Sequence, residues 1–429
     1  MKKMHVGPAK NCRKTVTVQG DKSISHRAII IGSMAKGTTI VSNFLEAEDT
    51  LNTIKVYREL GVKIEKTKNK YYIYGRGAGS LRQSHEALYV GNSGTNIRLT
   101  MGVLSAKNFT SVITGDGQIV KRPMGRVIEP LTLMGAKFES NQGKAPVTIL
   151  GGTLKGIEYK LPMASAQVKS AVLLAALGAR GKTTIKEPIV SRDHTERMLK
   201  YFGAPITQSK GVITVKPGKE MKAKPVFVPG DISSAAYFII AGLMMKNSVI
   251  RVKNVGLNPT RTGIIEVMKK MGGRIKISGL KVKNNEPVGD VISSTSRLKG
   301  VTIGGAMIPK LIDEIPVIAV AAAFAAGKTV IRDAKELRYK ETDRIETVIK
   351  NLRRIGVKVE ELPDGMVIHG NGGVPFKYAD IDSFSDHRIA MAFSVAALSG
   401  ENGLLIKDVE CVNTSFPDFF DIMKKISVK

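Results

Sequence analysis

Six short clusters of polar and charged residues hold the groups that could do chemistry, and each opens a run rich in Ala, Leu or Ile. They are Lys22-Ser23-Ile24-Ser25-His26-Arg27, Asn92-Ser93-Gly94-Thr95, Ser165-Ala166-Gln167, Asp231-Ile232-Ser233-Ser234, Asp313-Glu314-Ile315-Pro316 and Asp386-His387-Arg388. A helix start exposes free backbone N–H groups and the positive end of the helix dipole, so clusters in this position collect anions. Taken singly, each has a plainer account. Lys22 and Arg27 would serve as a solvated face, Asp313-Glu314 as an N-cap with a first-turn carboxylate, and Lys340-Glu341-Thr342-Asp343-Arg344 as intrahelical ion pairing worth about 0.3–0.5 kcal/mol. His26 and His387, each beside an Arg at a helix start, read as hydrogen-bonding structural residues and not as bases. Joint occurrence at equivalent points of a repeat is what favours anion binding.

The elements that must position these groups recur with them. A cluster-opened helix is followed by a turn, a β-branched strand, a helix with apolar positions every three to four residues, and a Gly turn into another strand. The first copy runs through Gly37-Thr38-Thr39-Ile40-Val41 to Leu60-Gly61-Val62, the second through Ser111-Val112-Ile113-Thr114 to Met134-Gly135-Ala136, and the third through Thr183-Thr184-Ile185 to Phe202-Gly203-Ala204. The closing glycines Gly61, Gly135, Gly203, Gly272 and Gly356 lie about 70–85 residues apart, too far for a solenoid and suited to a β-α-β-α-β-β unit. They are expected to be C′ caps with φ > 0. Pro229-Gly230, after the extended stretch 216–228, marks the expected hinge. Residues 20–228 would form an N-terminal globe of three copies. Residues 229–429, joined by a strand from residues 1–19, would form a C-terminal globe of three more. Aligned helix starts would then line an anion-binding cleft between the globes.

With 429 residues and 43% apolar composition, the chain can bury more than one core, since single cores stop growing near about 250–300 residues. Its 66 Lys+Arg against 37 Asp+Glu give a formal charge of +29, which attracts anions. Nucleic acid is the first suspect for such a charge. Against it stand 5% aromatic content, no Trp, and a Lys surplus spread along the chain without a basic tail. Two cysteines, Cys12 and Cys411, with no CxxC or His/Cys spacing, argue against a disulfide framework or a zinc site and fit a reducing compartment. The N-terminal Met-Lys-Lys does not enter the apolar run of a signal peptide. The longest greasy stretch, Ile315 to Ala326, is too short to cross a bilayer and reads as a buried helix. The expectation is a cytoplasmic monomer with no metal, no cofactor, and no membrane or nucleic-acid partner.

The runs Gly20-Asp21-Lys22-Ser23-Ile24-Ser25-His26-Arg27, Gly91-Asn92-Ser93-Gly94-Thr95-Asn96-Ile97-Arg98, Lys121-Arg122-Pro123-Met124-Gly125, Arg338-Tyr339-Lys340-Glu341-Thr342-Asp343-Arg344 and Asp386-His387-Arg388-Ile389-Ala390-Met391 resemble, in this order, the signatures of the enolpyruvylshikimate-phosphate synthase family. Five motifs in order over nearly the whole chain make chance agreement remote. The resemblance implies an α/β (α+β) fold, a two-globe inside-out α/β barrel built from six β-α-β-α-β-β repeats, with the active site in the cleft between the globes. It also implies an activity: transfer of the enolpyruvyl group of phosphoenolpyruvate to the 5-hydroxyl of shikimate-3-phosphate, with release of phosphate, on the route to chorismate and the aromatic amino acids. Those substrates together carry about five to six negative charges. Six cations, Lys22, Arg27, Arg122, Lys340, Arg344 and Arg388, would meet them, and arginine forks suit carboxylates and phosphates.

By the same resemblance, Lys22, Ser23, Arg27, Ser165, Ala166 through its backbone, Gln167, Asp313 and Lys340 hold shikimate-3-phosphate, with Ser191 and Arg192 at its phosphate. Lys22, Gly94, Arg122, Gln167, Arg344 and Arg388 hold phosphoenolpyruvate. Gly94, at a helix start, lets the backbone approach a small anion where a Cβ would intrude. Asp313 is expected as the base at the hydroxyl, and Glu341 with Lys22 as the groups that deliver and return a proton. The division of labour between the two acids depends on burial and neighbours. No covalent enzyme intermediate is required, and closure on substrate binding is expected.

Two positions depart from the best-known branch of the family. Asn413-Thr414-Ser415 precede Phe416-Pro417-Asp418 where that branch has a Lys, which leaves Lys424, Lys425 and Lys429 as replacements. Glu336 stands where that branch has an Asn that helps bind shikimate-3-phosphate. Together with Arg98-Leu99-Thr100 and Ser191-Arg192-Asp193-His194, these features resemble the second class of these synthases, often less sensitive to glyphosate. Two rivals stand beside this assignment. The UDP-N-acetylglucosamine enolpyruvyl transferase shares fold and donor but uses a loop Cys shortly before an Arg-Pro pair, and residues 115–123 contain no Cys. A basic nucleic-acid clamp would rest on diffuse Lys and Arg and need no convergent acids.

Overall fold

The computed structural model of the chain describes residues 2–427. Two compact units emerge. One holds the residues up to Gln19, Pro229–Lys281 and Pro287 onward; the other holds Gly20–Val228 and Val282–Glu286. Within each unit the sequence repeat becomes a structural one. In the first copy the helix Lys22–Met34 leads to the strand Lys36–Ser42, the helix Glu48–Glu59 and the hairpin Lys63–Thr67 and Lys70–Arg76. Lys70–Arg76 pairs antiparallel with Lys36–Ser42, Ile73 opposite Thr39. The other edge of Lys36–Ser42 takes Val226–Phe227 in parallel, Val226 opposite Val41. The same strand order recurs in sheets centred on Thr110–Thr114, Thr183–Lys186, Val249–Gly256 and Ala326–Ile331.

The sixth copy is smaller, and its sheet has three strands: Asp380–Asp382, Leu404–Lys407 and Lys3–Val6. Its antiparallel partner comes from the N-terminal segment, with Met4 opposite Ile406. That segment supplies two strands, not one, because Arg13–Thr17 also runs parallel to Val249–Gly256, Val16 opposite Val252. Residues 282–286 are the tip of the hairpin Arg274–Lys283 and Glu286–Ser294. They fall with Gly20–Val228, and not with the C-terminal sequence around them, for a polar reason. Glu286 Oε1 lies 2.7 Å from His194 Nδ1, the Asn285 carbonyl accepts from Arg197, and Asn284 Oδ1 accepts from the Phe227 N–H.

The first helix of each copy is buried on nearly all sides because its sequence carries almost no polar residue past its first turns. Ile315–Phe324 reads IPVIAVAAAF and Ile232–Met244 reads ISSAAYFIIAGLM; the first is buried from Ile315 to Ala323 and the second throughout. Second helices such as Arg344–Arg354, RIETVIKNLRR, show one apolar face to the core and, apart from the buried Arg344, charges outward. The helices Gly94–Ser105 and Ala166–Ala176 touch backbone to backbone at Gly102, where an added Cβ would lie 2.2 Å from the Ala171 carbonyl oxygen. That approach brings the Gly94 turn beside Gln167.

Helix ends follow the expected rules. Asp21, Ser93, Ser165, Asp231 and Asp386 each accept a backbone N–H of the helix they open. The five closing glycines have φ of 86°, 106°, 88°, 90° and 86°, a conformation costing any L-residue with a Cβ roughly 1–2 kcal/mol. After each, the next N–H reaches back to a helical carbonyl, as Val62 to Tyr57, Ala136 to Leu131 and Val357 to Leu352, the Schellman arrangement. Among the described residues no helix is long and apolar enough to cross a membrane.

Candidate functional site

In the unit of Gly20–Val228, Lys22 and Arg27 do not form a solvated face. Lys22 Nζ lies 2.9 Å from Asp49 Oδ2, and Arg27 is 3% exposed. Arg27 spends its donors on neutral oxygens: Nε on Thr195 Oγ1 at 2.7 Å, Nη1 on the Ser23 carbonyl at 2.9 Å and Nη2 on Ser170 Oγ at 3.0 Å. Burial lowers its pKa to about 10; the charges of Glu196 and Asp21 oppose that shift and Arg192 adds to it. A buried cation with no carboxylate on its nitrogens is suited to receive an anion.

A second centre forms over Gly94. A Cβ there would lie 3.1 Å from Arg98 Nη1 and 3.3 Å from Arg122 Nη1, so two guanidiniums converge on this helix start and a side chain would crowd both. Arg122 Nη2 donates to Asn92 Oδ1 at 2.7 Å. Arg98 donates to Gln167 Oε1, and Gln167 Nε2 donates to Thr95 Oγ1 at 3.1 Å, so the carboxamide is fixed at both ends. Arg98 had no role assigned from sequence; its signal is the four-residue spacing from Gly94, which lays its side chain over that turn. Ser165 caps the helix that starts at Ala166, accepting from the Val168 N–H at 3.4 Å. Ser191 is buried just ahead of the helix His194–Tyr201, with Arg192 beside it half-buried. His26 is a brace: Nδ1 lies 2.7 Å from Thr53 Oγ1 and Nε2 3.3 Å from Ser93 Oγ. Burial first, then Lys22 and Arg27, hold its pKa well below the usual value, so the ring is neutral.

In the other unit Arg344 is the hub. Its Nε is 2.8 Å from Asp386, its Nη2 2.5 Å from Glu341 and its Nη1 3.6 Å from Asp313. Burial works against the charge on Arg344, but Asp386 and Glu341 outweigh it and raise its pKa. Burial likewise works against ionised Asp386, yet Arg344 holds that carboxyl below its ordinary value. Lys340 Nζ stands 3.4 Å from Asp313 Oδ1, and Arg388 Nη1 donates to the Asp313 carbonyl at 2.9 Å. For Arg388 too, burial lowers the pKa and neighbouring carboxylates, Asp313 foremost, raise it above the usual value. Asp313 and Glu341, with side chains 14% and 22% exposed, are two carboxylates that share one fixed guanidinium and retain access to solvent. Such a pair can move protons without losing its placement.

The plainer accounts of these acids do not survive. The helix Ile315–Phe324 has Glu314 at its cap without a side-chain cap bond. Glu314 instead accepts from Ser233 and lies 3.8 Å from Arg261, while Asp313 points to Lys340 and Arg344. Lys340 has extended backbone, and the helix Arg344–Arg354 begins only after its cap Asp343, so residues 340–344 are not an intrahelical ion-pair ladder. Lys424 and Lys425 are exposed in the last turn of the helix Phe419–Ser427; Lys429 lies outside the described residues. Glu336 sits half-buried on the short helix Lys335–Tyr339, ahead of Lys340. Among the described residues no group of three or more His, Cys, Asp or Glu is placed to hold a metal ion.

Comparison with known proteins agrees on one family. The chain is 53% identical over 406 residues to the 3-phosphoshikimate 1-carboxyvinyltransferase of a Thermoanaerobacter species, covering 94% of this chain and 95% of the relative. It is 51% identical over 429 residues to that of Petrotoga mobilis, covering 99% of each. Its structure is similar to that of the EPSP synthase of Acinetobacter baumannii, with a TM-score of 0.90 and 42% identity over 100% of this chain and 98% of that one. Neither the UDP-sugar enzyme nor a nucleic-acid clamp is favoured by these matches. With Arg27, Gly94, Asp313 and Arg344 all inside residues 6–423, the span matched by the family model described as EPSP synthase (3-phosphoshikimate 1-carboxyvinyltransferase), the chain belongs to the EPSP synthase family.

Proposed function

We infer that the two clusters divide between them the work of the reaction this family catalyses. The chain transfers the carboxyvinyl group of phosphoenolpyruvate to the 5-hydroxyl of shikimate-3-phosphate and releases phosphate, a step of aromatic amino acid biosynthesis. In our assignment Lys22, Ser23, Arg27, Ser165, the backbone of Ala166 and Gln167 receive shikimate-3-phosphate, with Ser191 and Arg192 at its phosphate and Asp313 and Lys340 at its hydroxyls. Phosphoenolpyruvate falls to Lys22, the Gly94 backbone, Arg122, Gln167, Arg344 and Arg388. Arg98 acts as a positioning residue through Gln167.

The observation that carries the mechanism is the pairing of Asp313 and Glu341 on Arg344. As the 5-hydroxyl oxygen bonds to C2 of phosphoenolpyruvate, Asp313 takes the hydroxyl proton and Glu341, with Lys22, gives a proton to the methylene carbon. The product of this addition is a tetrahedral ketal-phosphate. Loss of a proton from the new methyl group re-forms the double bond and expels phosphate, its charge met by the surrounding cations. No step needs a metal or cofactor. Both cysteines are free, and we assign the enzyme to the cytoplasm as a monomer with no nucleic-acid or membrane partner.

A phosphate-release assay tests the proposal. Phosphate is expected only when both substrates are present. Steep salt-dependent binding of DNA at micromolar concentration with no phosphate release would overturn it.

A further inference from the structure

Lys169, on the inner helix Ala166–Ala176, has no exposed side-chain surface, nor has Glu187, and Glu196 has 3%. The ammonium lies 2.9 Å from Glu187 Oε2 and 2.6 Å from Glu196 Oε1, and it donates at 3.4 Å to the Ser191 carbonyl. Glu187 Oε1 accepts the Ser191 N–H at 3.1 Å and the Ser191 hydroxyl at 2.5 Å. One carboxylate therefore ties residue 191 back to residue 187, while Pro188, Ile189 and Val190 between them stay exposed. Burying charges is costly even when they are paired, and apolar residues of the same volume often stabilise a core as well. Stability alone does not explain the triad.

The triad extends into the anion cluster. Ser170, next to Lys169, accepts from Arg27 and lies 2.7 Å from Thr195 Oγ1. Thr195, next to Glu196, accepts from Arg27 Nε. The network reaches Arg27 and Ser191, and Arg192, the next residue along the chain, is near enough for its charge to lower the pKa of Arg27. We propose that Glu187, held by Lys169 and Glu196, is a positioning residue that presets Ser191 and Arg192 for the phosphate of shikimate-3-phosphate. The proposal rests on the assignment of those two residues to that phosphate. Ser191 has one hydroxyl proton, which Glu187 holds without substrate. A phosphate dianion draws that proton to itself, and the Ser191 N–H stays on Glu187, so the turn keeps its shape.

The test compares Glu187→Ala, Glu187→Gln and the double variant Lys169→Met/Glu187→Met. Steady-state constants for both substrates are measured with the dissociation constants of shikimate-3-phosphate and of shikimate, which lacks the phosphate. The double variant removes cation and carboxylate together, and burial already pushes the Glu196 carboxyl towards its neutral form, so it keeps the test open if Glu187→Ala does not fold. Glu187→Ala and the double variant are expected to raise KM for shikimate-3-phosphate about tenfold or more, with kcat and KM for phosphoenolpyruvate within about threefold. Their preference for shikimate-3-phosphate over shikimate falls by the same factor. Glu187→Gln, which keeps an oxygen for the Ser191 N–H, restores KM to within about threefold of wild type. A Glu187→Gln as impaired as Glu187→Ala, or variants that lose kcat alone in proportion to their folded fraction, would refute the positioning role. Arg192→Ala separates the two layers. Lost phosphate preference in Arg192→Ala with full preference in the double variant refutes the role of Glu187; full preference in Arg192→Ala removes the phosphate subsite and the inference with it.

Discussion

Arg27 and Arg344 are the same residue type, both buried and both near a helix start, and their environments are opposite. Arg27 touches two hydroxyls and a carbonyl, and its pKa is lowered. Arg344 touches Asp386 and Glu341 and faces Asp313, and its pKa is raised. The difference separates two uses of one guanidinium. With neutral partners the charge remains available to an incoming anion, at the cost of a protein that carries it unneutralised. With carboxylate partners the charge is already matched, and what it supplies is fixed placement of the two acids, Asp313 and Glu341, to which we assign the proton transfers.

Removing each arginine should therefore fail in a different currency. Arg344→Met leaves Asp386 buried without its cation and is expected to cost about 3–5 kcal/mol of stability, read from urea unfolding. Arg27→Met orphans only neutral acceptors, so its stability loss should be smaller, about 1–3 kcal/mol, while KM for shikimate-3-phosphate rises about 10- to 100-fold. Equal stability losses in the two variants would break the contrast. Gly94→Ala puts a methyl between Arg98 and Arg122 and is expected to raise KM for phosphoenolpyruvate about tenfold, leaving shikimate-3-phosphate binding near normal; an unchanged KM would free Gly94 from the site.

The smallest effect is a pH dependence. Asp386 has a folded-state pKa below its unfolded value of about 3.9. Its stabilisation is therefore complete above that pH and is lost as pH falls through the folded value. The stability gap between wild type and Asp386→Asn should be constant near neutrality and shrink below about pH 4, by at most about 1.4 kcal/mol per pH unit. A gap that widens in acid would contradict the Asp386–Arg344 assignment.

Much of this was legible in the sequence because it is local. Caps such as Asp21 and Ser93, the C′ glycines and the apolar helix after Ile315 depend on neighbours within a few residues, and they stand where the spacing put them. What was not legible depends on partners far along the chain. Arg98 meets Gln167 across 69 residues, Arg344 meets Asp386 across 42, and Lys169 meets Glu187 across 18. The hairpin tip 282–286 joins the other unit through the side chains of Glu286, Asn284 and Asn285, which no periodicity records. In sequence Asp313 fits a cap as well as a functional acid; the fold puts Glu314 at the cap, with its carboxylate turned to Ser233.

The most direct test of the division between the clusters is Asp313→Asn, assayed for phosphate release and titrated with shikimate-3-phosphate. Turnover is expected to fall by about 10²–10⁴ while the dissociation constant changes little. Normal turnover, or loss of shikimate-3-phosphate binding as in Arg27→Met, would contradict it.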